Sequence, residues 1–195
     1  MKRLIKRSLQ QLALAAILMA SAPATARVVD FLNVPGPIEL SGKSYELAWS
    51  SKPSDSYIKQ EYVPAGQTVE HFYQMLMIER ATGDLTVSDA LAAQIDMLKK
   101  RKSSDPLVNF EALKKEGSEE VVLDFLLSAK DAKGSLIVEW NLYRYTPTDS
   151  GIALFAVSHR AYGDKDAKVF LTGLKQLRTN ETRALLGAKI PVPRP

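Results

Sequence analysis

Residues 121–159 read VVLDFLLSAKDAKGSLIVEWNLYRYTPTDSGIALFAVSH, and this stretch decides the fold class. Val121, Leu123, Phe125 and Leu127 alternate with Val122, Asp124, Leu126 and Ser128. After a polar turn at residues 131–134, Leu136, Val138, Trp140 and Leu142 alternate with Ile137, Glu139, Asn141 and Tyr143. A period of two is the mark of a half-buried strand. A second turn spans residues 147–151, and residues 152–159 form a strand dense enough in apolar residues to be central. Short polar turns between such strands predict an antiparallel meander.

Working outward, Asp164 or Asp166 can cap a helix carrying Val169, Phe170, Leu174 and Leu177, closed near Gly187. Upstream, residues 108–113 read as a short strand. Before it, Thr86 and Asp89 form a capping-box pattern. The helix they start has Val87, Leu91, Ile95 and Leu98 on one side and Lys99-Lys-Arg-Lys102 in its last turn, where basic residues suit the helix dipole. Tyr45, Leu47 and Trp49 alternate as a strand, and residues 57–63 pair with it as a hairpin. Thr68 is the predicted N-cap of a further helix carrying Val69, Phe72, Tyr73, Leu76 and Met77, ended by Gly83. The predicted order is two strands, two helices, three or four strands and a terminal helix. Grouped strands and grouped helices predict an α+β fold, a mainly antiparallel sheet covered by helices.

The stretch YIKQEYVPAGQTVEHF, residues 57–72, reads as a strand, a Pro-x-Gly turn and a capped helix with an aromatic in its first turn. With the element order, it resembles the Mog1/PsbP-like group of small α/β/α sandwiches, which includes bacterial exported proteins. The resemblance implies a binding or assembly role. It implies no reaction and supplies no catalytic residues.

The ends of the chain set its organisation. Lys2, Arg3, Lys6 and Arg7 precede an apolar run at residues 12–20. Small residues follow, with Ala24-x-Ala26 as a cleavage pattern. These are the three parts of a cleavable export signal. The run is too short for the roughly 20 residues that span a bilayer. The layout expected is a signal at 1–26, a single domain at 27–187 and an extended proline-rich tail at 188–195. The whole chain carries 26 basic and 22 acidic residues. Removing the four basic residues of the signal leaves 22 of each, so no concentrated positive field supports nucleic-acid binding. With no cysteine, packing alone must hold an exported domain, and thiol chemistry is excluded.

Recognisable catalytic motifs are absent. The two histidines, His71 and His159, lack the helical i, i+4 pairing of a zinc site, and there is neither a Gly-x-Ser-x-Gly elbow nor a phosphate-cradling glycine loop. No metal and no cofactor is expected. Ser158 and His159 are adjacent in a strand and should point to opposite faces. One constellation stands out: Glu139, Asn141, Tyr143 and Tyr145 share a strand face, and His159 joins them if the register allows. Aromatic rings beside hydrogen-bonding groups can hold a small ligand or peptide. The expected function is a non-enzymatic binding or assembly module of the cell envelope, periplasmic or secreted. Its expected partner is an envelope protein or a small ligand, with no nucleic acid and no stable membrane anchor after cleavage. The alternative is an envelope hydrolase acting on carbohydrate or peptide through carboxylates and His159.

Overall fold

A computed structural model describes residues 28–114 and 117–189. The export signal and the end of the proline-rich tail lie outside the described residues. Those residues form one antiparallel sheet of eight strands, β1 (Ile38–Leu40), β2 (Lys43–Ser54), β3 (Tyr57–Val63), β4 (Gln74–Thr82), β5 (Asn109–Lys114), β6 (Val121–Lys130), β7 (Leu136–Thr148) and β8 (Gly151–Tyr162). Two helices accompany it, α1 (Val87–Arg101) after β4 and α2 (Gly163–Gly187) after β8. The sheet order is β1-β2-β3-β4-β8-β7-β6-β5. It is thus two four-stranded meanders joined where β4 pairs β8, and a mixed α+β class follows.

Both joining strands are buried on their two faces. Met75, Leu76, Met77 and Ile78 of β4 and residues 152–159 of β8 are all buried. Alternate residues feed different layers. Leu76, Ile78, Trp140, Leu142, Phe155 and Val157 pack with Ala167, Leu174 and Leu185 of α2. Met77, Leu123, Phe125, Leu154 and Ala156 pack with Val87 and Leu98 of α1. Each helix therefore lies against a different face of the sheet.

The capping box at Thr86 forms as the sequence predicts. The Asp89 N–H donates to Thr86 Oγ1 at 3.1 Å, and the Thr86 N–H donates to Asp89 Oδ2 at 3.2 Å. At the other end of α1, buried Asp105 accepts from the backbone N–H and the hydroxyl of Ser128, both at 2.6 Å, and from Arg101 Nε at 3.2 Å. This clamp fixes the helix end to β6. The basic run is accordingly divided in use: Arg101 is structural, while Lys99, Lys100 and Lys102 are exposed.

The helix predicted after Thr68 is absent, and its residues form a loop followed by β4. The apolar residues fit a helical stripe, but residues 75–78 are four consecutive apolar residues, which suits a strand covered on both faces equally well. The cap signal is real and is used by the loop. The His71 N–H donates to Thr68 Oγ1 at 3.1 Å, while Gln67 Oε1 accepts from the N–H groups of Tyr73 and Gln74. Thr68 thus makes a cap-like turn with no helix behind it.

Gly151 starts β8 with φ at 145°, paired with Thr82 on one side and Thr148 on the other. A Cβ here would fall on the Ala81 carbonyl oxygen, so both the backbone angle and the close approach require glycine. Gly151→Ala is expected to lower unfolding free energy by about 3 kcal/mol, measured by urea denaturation. An unchanged midpoint would show that the β4–β8 junction tolerates a side chain.

Candidate functional site

On the α1 face, successive rungs of the sheet bring together residues far apart in sequence. Lys59 pairs with Glu79, Glu79 with Leu154, and Leu154 with Tyr145. One rung along, Glu61 leads through Met77 and Ala156 to Tyr143. On the other side, Tyr57 is opposite Ala81. The side chain of Ala81 is too short to fill the layer beneath α1, and Ala90 and Ala93 of α1 are equally short. The result is a cavity of about 130 Å³ between helix and sheet. Its floor carries Tyr57, Lys59, Glu79, Tyr143 and Tyr145, and its roof includes Ala93, Gln94 and Met97.

This is a polar cluster inside an apolar layer. Tyr57 Oη donates to Glu79 Oε2 at 2.8 Å. Lys59 Nζ lies 2.8 Å from Glu61 Oε1 and 3.8 Å from Glu79 Oε1. The side chains of Lys59, Glu61 and Glu79 are 26%, 16% and 15% exposed, too covered to count as a solvated surface pair. Burial works against the Lys59 ammonium, but Glu79 and Glu61 outweigh it and raise its pKa, so it stays charged. The phenols of Tyr57, Tyr143 and Tyr145 are all raised, first by burial and then by neighbouring groups, with the Glu79 charge acting on each. They therefore remain neutral hydrogen-bond donors at physiological pH. Among the described residues, neither Tyr143 nor Tyr145 has a hydrogen-bond partner for its hydroxyl. Tyr145 is only 4% exposed.

Of the residues expected at a site, Tyr143 and Tyr145 line this cavity. Glu139 and Asn141 share their face but lie farther along β7. Glu139 is ion-paired with Arg160, whose guanidinium sits over the Phe72 ring. Asn141 is buried and accepts from Ser158 Oγ at 2.5 Å. His159 does not join them. The register sets it opposite Trp140, on the α2 face, because Glu139 pairs with Arg160 and odd and even positions of β8 point to opposite sides. The hydrolase arrangement of Glu139 with His159 is thereby divided by the sheet itself. Tyr57, Lys59, Glu61 and Glu79 escape the sequence reading. The first three alternate regularly along β3, a signal that was available. Glu79 falls in the segment predicted as helix, which hid its face.

A wider depression of about 610 Å³ flanks the turn before α1. Its charged residues, Asp84, Lys114 and Glu119, are exposed, so it lacks the enclosed polar groups that make the smaller cavity the candidate. No group of three or more histidine and carboxylate residues suited to a metal ion occurs among the described residues. No helix of the described residues is long and apolar enough to cross a membrane.

On the α2 face, His159 Nε2 lies 3.4 Å from Glu181 Oε1, and Ser41 Oγ donates to Glu181 Oε2 at 2.7 Å. His159 and Glu181 are 4% and 5% exposed. This buried clasp ties the β1–β2 turn and β8 to α2.

A family model matches residues 32–190, and the chain belongs to that uncharacterised family. No curated protein and no solved structure matches it.

The clasp carries a pH signature. Burial opposes ionisation of Glu181, but the facing His159 ring, the hydrogen bond from the Ser41 hydroxyl and nearby Lys43 overcome it and lower the carboxyl below its ordinary value of 4.5. A carboxyl depressed in the folded state contributes stability above its unfolded pKa and loses it as pH falls through the folded value. Glu181→Gln should therefore cost about 1–3 kcal/mol near neutrality, with the gap to wild type narrowing as pH drops below about 4.5. Urea midpoints across that range check this; parallel curves would exclude a charged Glu181 as the anchor.

Proposed function

We propose that this chain, as a member of the family matched over residues 32–190, is an exported binding module that holds a small ligand between α1 and the sheet. The observation that carries the reading is Tyr145, a nearly fully buried phenol without a protein partner, lining a cavity beside Tyr143 and the Lys59–Glu79 pair. Lining the cavity, its hydroxyl is placed to donate a hydrogen bond to a polar group bound there. Apolar walls from Met97, Leu154 and Ile152 with a few convergent polar groups are the usual make-up of a small-ligand site.

The export part of the proposal rests on the basic, apolar and small-residue segments of residues 1–26. It places the working protein in the periplasm or outside the cell, with Arg27 at its start. The Mog1/PsbP-like grouping belongs to the same proposal, supported by an antiparallel sheet that carries one helix on each face. A binding rather than hydrolytic role is favoured because Glu139 and His159, the pair on which hydrolysis would draw, face opposite layers.

Ala93 forms part of the roof, so Ala93→Leu fills the cavity from above without touching its polar floor. The variant should fold with unchanged or slightly higher stability, a gain of about 0.5–2 kcal/mol at most, and lose any ligand that co-purifies with the wild type. Native mass spectrometry of both proteins, isolated from their natural compartment, reads this directly. An adduct retained at equal occupancy by Ala93→Leu would place the ligand elsewhere.

A further inference from the structure

The cavity's charge balance narrows what can enter it, on the reading that it is a ligand site. Two carboxylates, Glu61 and Glu79, share one ammonium, that of Lys59. The ammonium lies a full ångström closer to Glu61 than to Glu79. Glu79, whose other oxygen takes the Tyr57 hydroxyl, is the acid that lines the cavity. Glu139, farther along the same face, is already matched by Arg160. The cluster around the cavity therefore carries one negative charge in excess. An anionic ligand would meet that excess without a free cation to receive it. A cation would meet a half-satisfied carboxylate in surroundings where attraction between charges is several times stronger than in water.

The walls point the same way. Three tyrosine rings, Tyr57, Tyr143 and Tyr145, line one small space. Aromatic faces attract organic cations, and the attraction grows once the cation is desolvated. The space is small, about 130 Å³, comparable with a cavity that accepts benzene, so it suits a compact group of a few heavy atoms rather than a long chain.

We propose that the cavity takes a small organic cation, an alkylated ammonium group, with its charge against Glu79 and its alkyl groups against the rings of Tyr57, Tyr143 and Tyr145. The group could belong to a free metabolite or to a lipid headgroup, and the two share this chemistry.

Isothermal titration of the intact protein with choline, and with its neutral isostere 3,3-dimethylbutanol, tests the charge directly. Choline should bind at least tenfold more tightly than the isostere. Glu79→Gln should weaken choline at least tenfold and leave the isostere unchanged. Tyr143→Phe, which keeps the ring, should retain choline binding, and Tyr143→Leu should lose it, so the case does not hang on one variant's folding. Equal affinity for choline and the isostere would overturn the cationic assignment while leaving the cavity as a binding site. Failure of both probes on the wild type would overturn the assignment too, and the Ala93→Leu comparison would then judge the cavity alone. Competition by phosphatidylcholine vesicles identifies a headgroup as the source. Saturation by choline with no effect of vesicles identifies a free cation, and either result supports the proposed chemistry.

Discussion

The ladder between β4 and β8 is the interaction on which the rest of the molecule depends. Nine residue pairs, from Gln74 with His159 to Thr82 with Gly151, join two meanders that are otherwise separate runs of neighbouring strands. Every other strand pairing is between consecutive strands and could form locally. This one closes a loop of about 70 residues in sequence, and its entropic cost must be offset by burial. That is why Met75–Ile78 and residues 152–157 are apolar on both faces, whereas edge strand β5 is mostly exposed.

The same ladder builds the candidate site. Its register sets Glu79 opposite Leu154 and thereby aligns Lys59 of one meander with Tyr145 of the other. A slip of two residues would keep every side chain on its face yet move Glu79 roughly 7 Å along β8, away from that rung. The two sheet faces then diverge in character. Under α2, Glu181, Asp124 and Glu120 each meet a partner, His159, Arg178 and Arg144 respectively, and the result is a set of anchors. Under α1, two acids share one lysine and two phenols have no hydrogen-bond partner among the described residues. The α1 layer thus keeps hydrogen-bonding capacity on the cavity wall, which suits the ligand proposed there.

Much of this fold was legible in the sequence. The alternation in β6 and β7, the unbroken apolar run of β8, the β2–β3 hairpin and the Thr86–Asp89 box all formed as their patterns predict. Residues 69–82 were not legible, because Val69, Phe72, Leu76 and Met77 fit a helical stripe while the run at 75–78 fits a doubly buried strand. Only the partner strand β8 decides between them. His159 shows a second kind of limit. The composition of residues 147–151 predicts a single turn, but the paired residues run on to Thr148 opposite Gly151, leaving a two-residue connection at Asp149 and Ser150. Shifting such a turn by one residue reverses which face each side chain takes, and that shift separates His159 from Glu139. The cavity itself depends on rungs that cross four strands, and no local pattern encodes it.

The absence of native cysteine makes the ladder register directly measurable. Met77 and Ala156 are directly opposed on the cavity face. Opposed residues in an antiparallel pair lie about 4.5–5.5 Å apart, within the span of a disulfide. The paired substitution Met77→Cys with Ala156→Cys should oxidise to an intramolecular disulfide, detected by mass spectrometry of the unreduced protein. Met77→Cys with Ser158→Cys, one step off the rung, should remain largely reduced under the same conditions. The opposite outcome, with the second pair bridging and the first staying reduced, would contradict the register that brings Glu79, Lys59 and Tyr145 together.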